Sequence, residues 1–335
     1  MSDLTRELLK LIDEGKTINE ISEKLNISNK RIYNILSLIR NKGFEFERKY
    51  YYNGDILYIP KKSFVEINKE GTDIITSSND RSFEALVISD LHIGSTKERI
   101  DLLDKLYDWC SKEGIHIIIV CGDIIDGMYG RNKKIHNNVG EQIDYMLKNY
   151  PFDKSILNFV TLGDHDYDAF RNYGQNLARI FESYRHDIIP LGYCFGQINV
   201  KNDKIYVRHP SDSFNEVKLQ PLYNCLMLNG HSHKMCINAT SNVTTVTVPS
   251  LSEIHVANIT TLPTAIRMKL NFKNGLIYRG VFSQLLIGKK IYTLSEFNCP
   301  LWSGKDFESN TSITLEEEFD KKKILQLSRT QSYTD

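Results

Sequence analysis

An aspartate and a histidine two residues apart, Asp90 and His92, follow the apolar run Phe83-Glu84-Ala85-Leu86-Val87-Ile88. That run predicts a buried strand, and the two-residue spacing sends both side chains off the same side of its C-terminal end. A carboxylate and an imidazole placed there make half of a metal site, although Asp-x-His alone is a common pair. Four further pieces follow in order: Cys121-Gly122-Asp123-Ile124-Ile125-Asp126-Gly127, then Gly163-Asp164-His165-Asp166, then His209 behind Ile205-Tyr206-Val207-Arg208, and finally Gly230-His231-Ser232-His233. Each comes just after a predicted strand, the edge at which open α/β sheets place their sites. Five of the nine histidines fall in these pieces, a concentration that core histidines do not explain. Carboxylates mixed with imidazoles suit manganese, iron or zinc, and a pair of divalent ions would neutralise the carboxylates gathered here.

The elements that must position these residues alternate. Residues 97–112 read as an amphipathic helix, 115–121 as a fully buried strand, 138–150 as a helix closed by Pro151, 156–162 as a strand and 167–185 as a helix. Continuous apolar strands separated by helices imply a mostly parallel sheet covered on its faces. After residue 190 short strands dominate, at 193–200, 204–208, 225–229 and 243–248. Residues 265–272 and 276–286 form a last pair around the turn Asn274-Gly275. The fold class expected is an α/β sandwich of two sheets flanked by helices.

Taken together, Asp90-x-His92, Gly122-Asp123, Gly163 to Asp166, His209 and Gly230-His-x-His233 resemble the five signatures of the calcineurin-like metallophosphoesterase superfamily, over roughly residues 83–255. The resemblance implies that Asp90, His92 and His233 hold one metal, that Asp123 bridges, and that Asp164, His209 and His231 hold the second. It also implies that His165 touches the substrate phosphate and protonates the leaving oxygen, steered by Asp166. The ions implied are manganese first, with iron, zinc or nickel as alternatives. One position departs from the family pattern: Asp164 stands where asparagine is usual, bringing a charge that should tighten cation binding and weaken its Lewis acidity. Tyr129, Arg131 and His136 lie in the polar loop after the second signature, where substrate contacts are expected.

The N-terminal segment has a separate logic. Three short helical patterns, the second opened by the capping box Thr17-Ile18-Asn19-Glu20, lead into alternating residues 44–52, the turn Asn53-Gly54 and a returning strand at 56–59. This resembles a winged helix-turn-helix, and its pairing with the signatures above resembles a group of phage and prophage phosphoesterases. In a winged helix the third helix enters the major groove and the wing contacts phosphate, so Asn29, Lys30, Arg31, Asn34, Arg48 and Lys49 are the expected DNA contacts. From Ser28 to Tyr50 there are six basic residues against two acidic. A docking or dimerisation role for the same module stays open, because fold does not imply function.

The domain plan is therefore residues 1–62 winged helix-turn-helix, 63–81 linker, 82–310 phosphoesterase and 311–335 a charged helix and tail. Formal charge is balanced, 42 basic against 42 acidic residues, which excludes a generally basic coat but not a local basic face. No stretch is apolar and long enough to span a membrane, and six scattered cysteines without a C-x-x-C pair fit a reducing cytoplasm. The expectation is a cytoplasmic two-metal phosphodiesterase, a nuclease brought to DNA by its winged helix, with a homodimer compatible. The alternatives are a phosphodiesterase or phosphatase on a nucleotide or phosphoprotein, or a weakly active DNA-binding regulator.

Overall fold

The structure, a computed structural model, describes residues 3–40, 46–60, 71–77, 79–129, 132–210, 225–239, 243–253, 255–256, 259–260, 262–288 and 290–301. Arg131 and the charged helix and tail expected at 311–335 lie outside them. The chain opens with α1 (Asp3–Asp13), α2 (Ile18–Leu25), α3 (Asn29–Arg40), β1 (Phe46–Tyr51), β2 (Ile56–Pro60) and β3 (Thr72–Ile75). It continues through β4 (Ser82–Ile88), α4 (Ile100–Glu113), β5 (Ile117–Cys121), α5 (Val139–Asn149), β6 (Leu157–Leu162), α6 (Asp164–Tyr173), α7 (Leu177–Tyr184) and β7 (Ile188–Tyr193). Strands complete it: β8 (Phe195–Val200), β9 (Asp203–Arg208), β10 (Cys225–Asn229), β11 (Cys236–Ala239), β12 (Val243–Thr247), β13 (His255–Val256), β14 (Ile259–Thr260), β15 (Thr264–Lys273), β16 (Leu276–Ile287) and β17 (Ile291–Pro300).

Two large sheets face each other. One has the order β17-β16-β15-β4-β5-β6-β7, the other β11-β12-β10-β9-β8-β3-β1-β2. Strands β4 to β7 run parallel, so crossover helices must cover the outer face, and the strands are apolar on both sides. In β4 the period-2 alternation splits cleanly. Phe83, Ala85 and Val87 join the core between the sheets, whereas Leu86 and Ile88 join the core that also holds Leu103 and Leu106 of α4 and Ile143 of α5.

The division near residue 80 is not a division in space. Strand β3, within the expected linker, pairs in parallel with β8 on one side and with β1 on the other. The β1–β2 hairpin is thereby an extension of the second sheet. One core runs unbroken from Leu8, Ile21 and Ile32 of the helices through Tyr50 and Tyr58 to Phe83 and Phe159. The hairpin turn is docked as well: a Cβ on Gly54 would stand 1.9 Å from the carbonyl oxygen of Ser155, and the residue has φ +81°. The hairpin expected to be a wing is thus packed against the body at its turn.

Three other expectations are corrected. The helix expected over 167–185 is two, separated at Gly174, which takes the left-handed cap of α6. The strand expected over 193–200 begins earlier as β7 and breaks at Cys194, where φ is +58°. Strands β11 and β17 were not expected. Among the described residues no helix is long and apolar enough to cross a membrane, and five of the six cysteines are buried, all six being free thiols.

Candidate metal centre

Strands β4, β5 and β6 of one sheet and β9 and β10 of the other end at a common edge, and each delivers part of one cluster. The turns after β4 and β5 stay paired: Asp90 donates its N–H to Gly122, His92 to Asp123 and Ile93 to Ile124, at 3.0, 3.0 and 2.8 Å. Five residues of the cluster, Asp90, His92, Asp123, His231 and His233, have φ between +46° and +73°. Left-handed backbone at a non-glycine residue costs about 1–2 kcal/mol, so this edge is strained where its side chains converge. Close approach fixes the glycines. A Cβ on Gly163 would lie 2.1 Å from Asp123 Oδ1.

Three groups of side chains have ligand atoms within 4.8 Å of one another: Asp90, His92 and His233; Asp123, Asp164, His209 and His231; and His92, Asp126 and His165. The third shares His92 with the first, so that the first two are the pair expected to hold ions. Asp123 Oδ2 stands between them, 3.7 Å from His92 Nε2 and 3.1 Å from His209 Nε2. The two innermost carboxylates are tethered by one oxygen, leaving the other to face the cluster. Asp90 Oδ2 accepts the N–H of His231 and Asp123 Oδ1 that of His165, both at 3.1 Å. On the far side of the rings, His209 Nδ1 is 2.7 Å from the Cys121 carbonyl and His92 Nδ1 is 3.0 Å from Asp126 Oδ1. Each bond turns the opposite nitrogen, Nε2, inward.

Burial pushes the Asp90, Asp123 and Asp164 carboxyls up, and the surrounding imidazoles more than reverse it, so all three sit below the ordinary carboxylate range. Burial pulls the His209 and His165 imidazoles down, and facing carboxylates, Asp123 first, carry both above their ordinary value. The cluster thus holds these three carboxylates ionised, with the His209 and His165 imidazoles favoured in their charged form. Asp90 Oδ1 and His92 Nε2 are buried without a hydrogen bond. Buried polar atoms seldom go unpaired, and a divalent ion would satisfy both, so the residues fit the group.

Residues 83–239 match the family model described as calcineurin-like phosphoesterase. Over that region, just under half of the chain, the sequence is similar to this family. No curated protein matches it. Among solved structures it is similar to vacuolar protein sorting 29 from Cryptosporidium parvum at 14% identity and TM-score 0.40, covering 66% of this chain and 100% of that one. The phosphoesterase YfcE from E. coli follows at 13% and 0.38, covering 65% and 99%. An archaeal phosphodiesterase follows at 13% and 0.37, covering 60% and 98%.

Within the matched region the seven side chains expected as ligands come together in these two groups. His165 is also there, its Nε2 4.0 Å from Asp123 Oδ2. The role expected for Asp166 is corrected. Its carboxylate accepts the N–H groups of Gly163, Ile124 and Ile125 at 2.8–3.1 Å, fastening the turn after β5 to the start of α6. Burial, then the charge of Asp123, pushes its carboxyl up to about 7 against the pull of those donors. What bonds to the His165 ring is the carbonyl of Asp126, 2.7 Å from Nδ1.

Asp126 was quoted in the sequence but given no role, although a second carboxylate three residues after Asp123 was a legible signal. It is fully buried and takes His92, Asn132 and Lys134 on its carboxylate. Of the expected substrate residues, Tyr129 lies edge-on to His165 with ring centroids 4.9 Å apart. His136 lies against Tyr145 of α5 instead, 4.8 Å between centroids, and is in none of the metal-capable groups.

Among the expected DNA contacts, Lys30, Arg31 and Asn34 are exposed on α3. Asn29 is buried and donates to Asn19 Oδ1 at 2.8 Å, serving the packing of α3 on α2. Arg48 turns inward, its guanidinium 3.7 Å from Glu182 of α7 and over the Tyr50 ring. Lys49 is half-buried.

Proposed function

We propose that the chain is a two-metal phosphodiesterase whose substrate is nucleic acid. The observation that carries the hydrolytic part is the convergence of seven nitrogen and oxygen ligands in two adjacent groups, with Asp123 Oδ2 between them and His165 beside them. Asp90, His92 and His233 would hold one ion, and Asp164, His209 and His231 the other. When bound, such a pair supplies Lewis acidity to the phosphate and activates the attacking water. The chain's own part is positional and acidic. Asp126 fixes His165 through Nδ1, so Nε2 is the nitrogen left to face a leaving oxygen. The carboxylates around that ring favour its protonated form, which suits a general acid in the neutral range. Tyr129 closes one side of the ring and limits its rotation.

The nucleic-acid part is supported by the exposed row Lys30, Arg31 and Asn34 on α3, which suits backbone phosphate. With Asn29, Arg48 and the hairpin turn committed to packing, this row is the face that α3 offers to DNA. Hydrolysis of a bis-aryl phosphodiester and of labelled single- and double-stranded DNA, with manganese or with chelator, tests the reading. Manganese-dependent cleavage of the small diester and of DNA in at least one of its two forms, abolished by His92→Ala, is expected. Turnover of the small diester with DNA untouched would move the substrate to a small molecule. No turnover of either would remove the enzyme reading.

A further inference from the structure

Large rings lie open to solvent beside this centre. Tyr129 is 48% exposed although its ring touches that of His165. Helix α6 begins with Asp164 and His165, and three rings ride along it at Tyr167, Phe170 and Tyr173, each three residues beyond the last. Phe170 is 40% and Tyr173 49% exposed. Phe170 lies nearly parallel to Tyr193 of β7, centroids 5.8 Å apart at 23°, and Tyr167 leans on both at 6.2 and 5.6 Å. Packing alone would have buried these rings. Exposed aromatics gathered at the mouth of a site mark a binding surface.

We propose that this row, from Tyr129 along α6, is a stacking track for the bases of a single-stranded nucleic acid whose backbone enters the metal centre. The inference rests on the phosphodiesterase reading and names the form of its substrate. Three observations favour an unpaired strand over other occupants. The row is continuous with a centre built for phosphate esters. Its rings recur every third residue, about 4.5 Å apart along the helix axis and about 60° apart around it, so the three share one flank of α6. The surface around it is cationic: Arg171 on α6 and Arg179 on α7 are exposed, as is Lys133 in the Tyr129 loop. Of the carboxylates of α6, Asp164 and Asp166 are buried in the cluster, which leaves Asp168, accepting from Asn172 at 2.5 Å, as the one acidic group along the row against these three cations. In a duplex the base faces are already stacked on one another, so only an unpaired strand can present them to protein rings.

Fluorescence anisotropy of the full-length protein with a labelled 12-nucleotide oligo-dT and with a hairpin duplex, in chelator so that nothing turns over, tests this. The single strand should bind at least tenfold tighter than the duplex. Phe170→Ala and Tyr173→Ala should each weaken it about tenfold, with the salt dependence unchanged because no phosphate contact is lost. Phe170→Trp should restore binding, which separates stacking from a folding defect. Equal affinity for the duplex, alanine variants that bind like the parent, or no binding of the single strand would each overturn the proposal. Binding is read without catalysis, so the two readings fail separately. Diester hydrolysis without oligonucleotide binding removes the track, and binding without hydrolysis removes the phosphodiesterase.

Discussion

At the scale of single residues, the seven converging side chains were legible because each sits where an apolar run stops, six of them near a glycine or a second histidine and His209 marked by the run before it alone. Lys134 was not. It reaches Asp126 only because the loop after β5 returns on itself, and nothing local in the sequence encodes that return. Asp126 shows what such partners do: by holding His92 Nδ1 it aims the other nitrogen at the ion. Asp126→Ala should therefore weaken manganese binding about 10–100-fold, read by isothermal titration of the apo protein. An affinity within twofold of the parent would assign His92's orientation to packing alone. Asp164 is the second test at this scale. Its Oδ1 lies 3.0 Å from His209 Nε2 and 3.4 Å from His231 Nδ1, so its charge works on the group proposed for the second ion. Asp164→Asn should lower manganese affinity about tenfold, as one ligand charge is removed. It should also raise turnover of a bis-aryl diester at saturating metal. A slower variant would mean that the carboxylate's charge assists the reaction.

At the scale of elements, signals carried by neighbouring residues were readable and those carried by distant pairing were not. The capping box at Thr17 and Glu20 is present in both directions, and Asn138 caps α5 as its type suggests. Strand β3 is four residues of mixed polarity, and only its pairing with β8 and β1 shows that it welds the hairpin to the sandwich. The hairpin turn gives a measurable form of that weld. Alanine at a free left-handed turn costs about 1 kcal/mol. At Gly54 the new Cβ also meets the Ser155 carbonyl, and backbone on both sides gives little room to relax. Gly54→Ala should therefore destabilise the protein by about 2–4 kcal/mol, seen as a lower midpoint in a chemical denaturation curve. A loss of about 1 kcal/mol would mean that the turn stands free of the body, as a wing would.

At the scale of the whole molecule, the question is what the helical layer does to the two-sheet body it packs on. Its contact centres on His186, just before β7. The ring is buried, hydrogen-bonded to Tyr58 Oη at 3.0 Å and stacked on Tyr33 of α3 with centroids 4.4 Å apart. Burial first, then the charges of Arg48 and Arg40, pulls its imidazole down to about 4 from an ordinary 6.5. Because that value is lower in the folded protein, the unfolded chain takes up the proton first as acid is added. The contribution is full above about pH 6.5, falls as pH drops towards 4 and is then spent, for a total of about 3 kcal/mol. Carboxylates throughout the protein titrate in part of the same window, so the difference from a variant is the informative quantity. His186→Phe keeps a ring for Tyr33 and removes the titrating group, although it loses the bond to Tyr58. Its stability at pH 7.5 should be lower than the parent's, and the gap should narrow by about 2 kcal/mol at pH 5, where the parent's histidine is already a liability. Parallel stability curves for the two proteins between pH 7.5 and 5 would mean that the ring accepts its proton while still packed. The joint between the helical layer and the body would then be looser than a buried, stacked histidine implies.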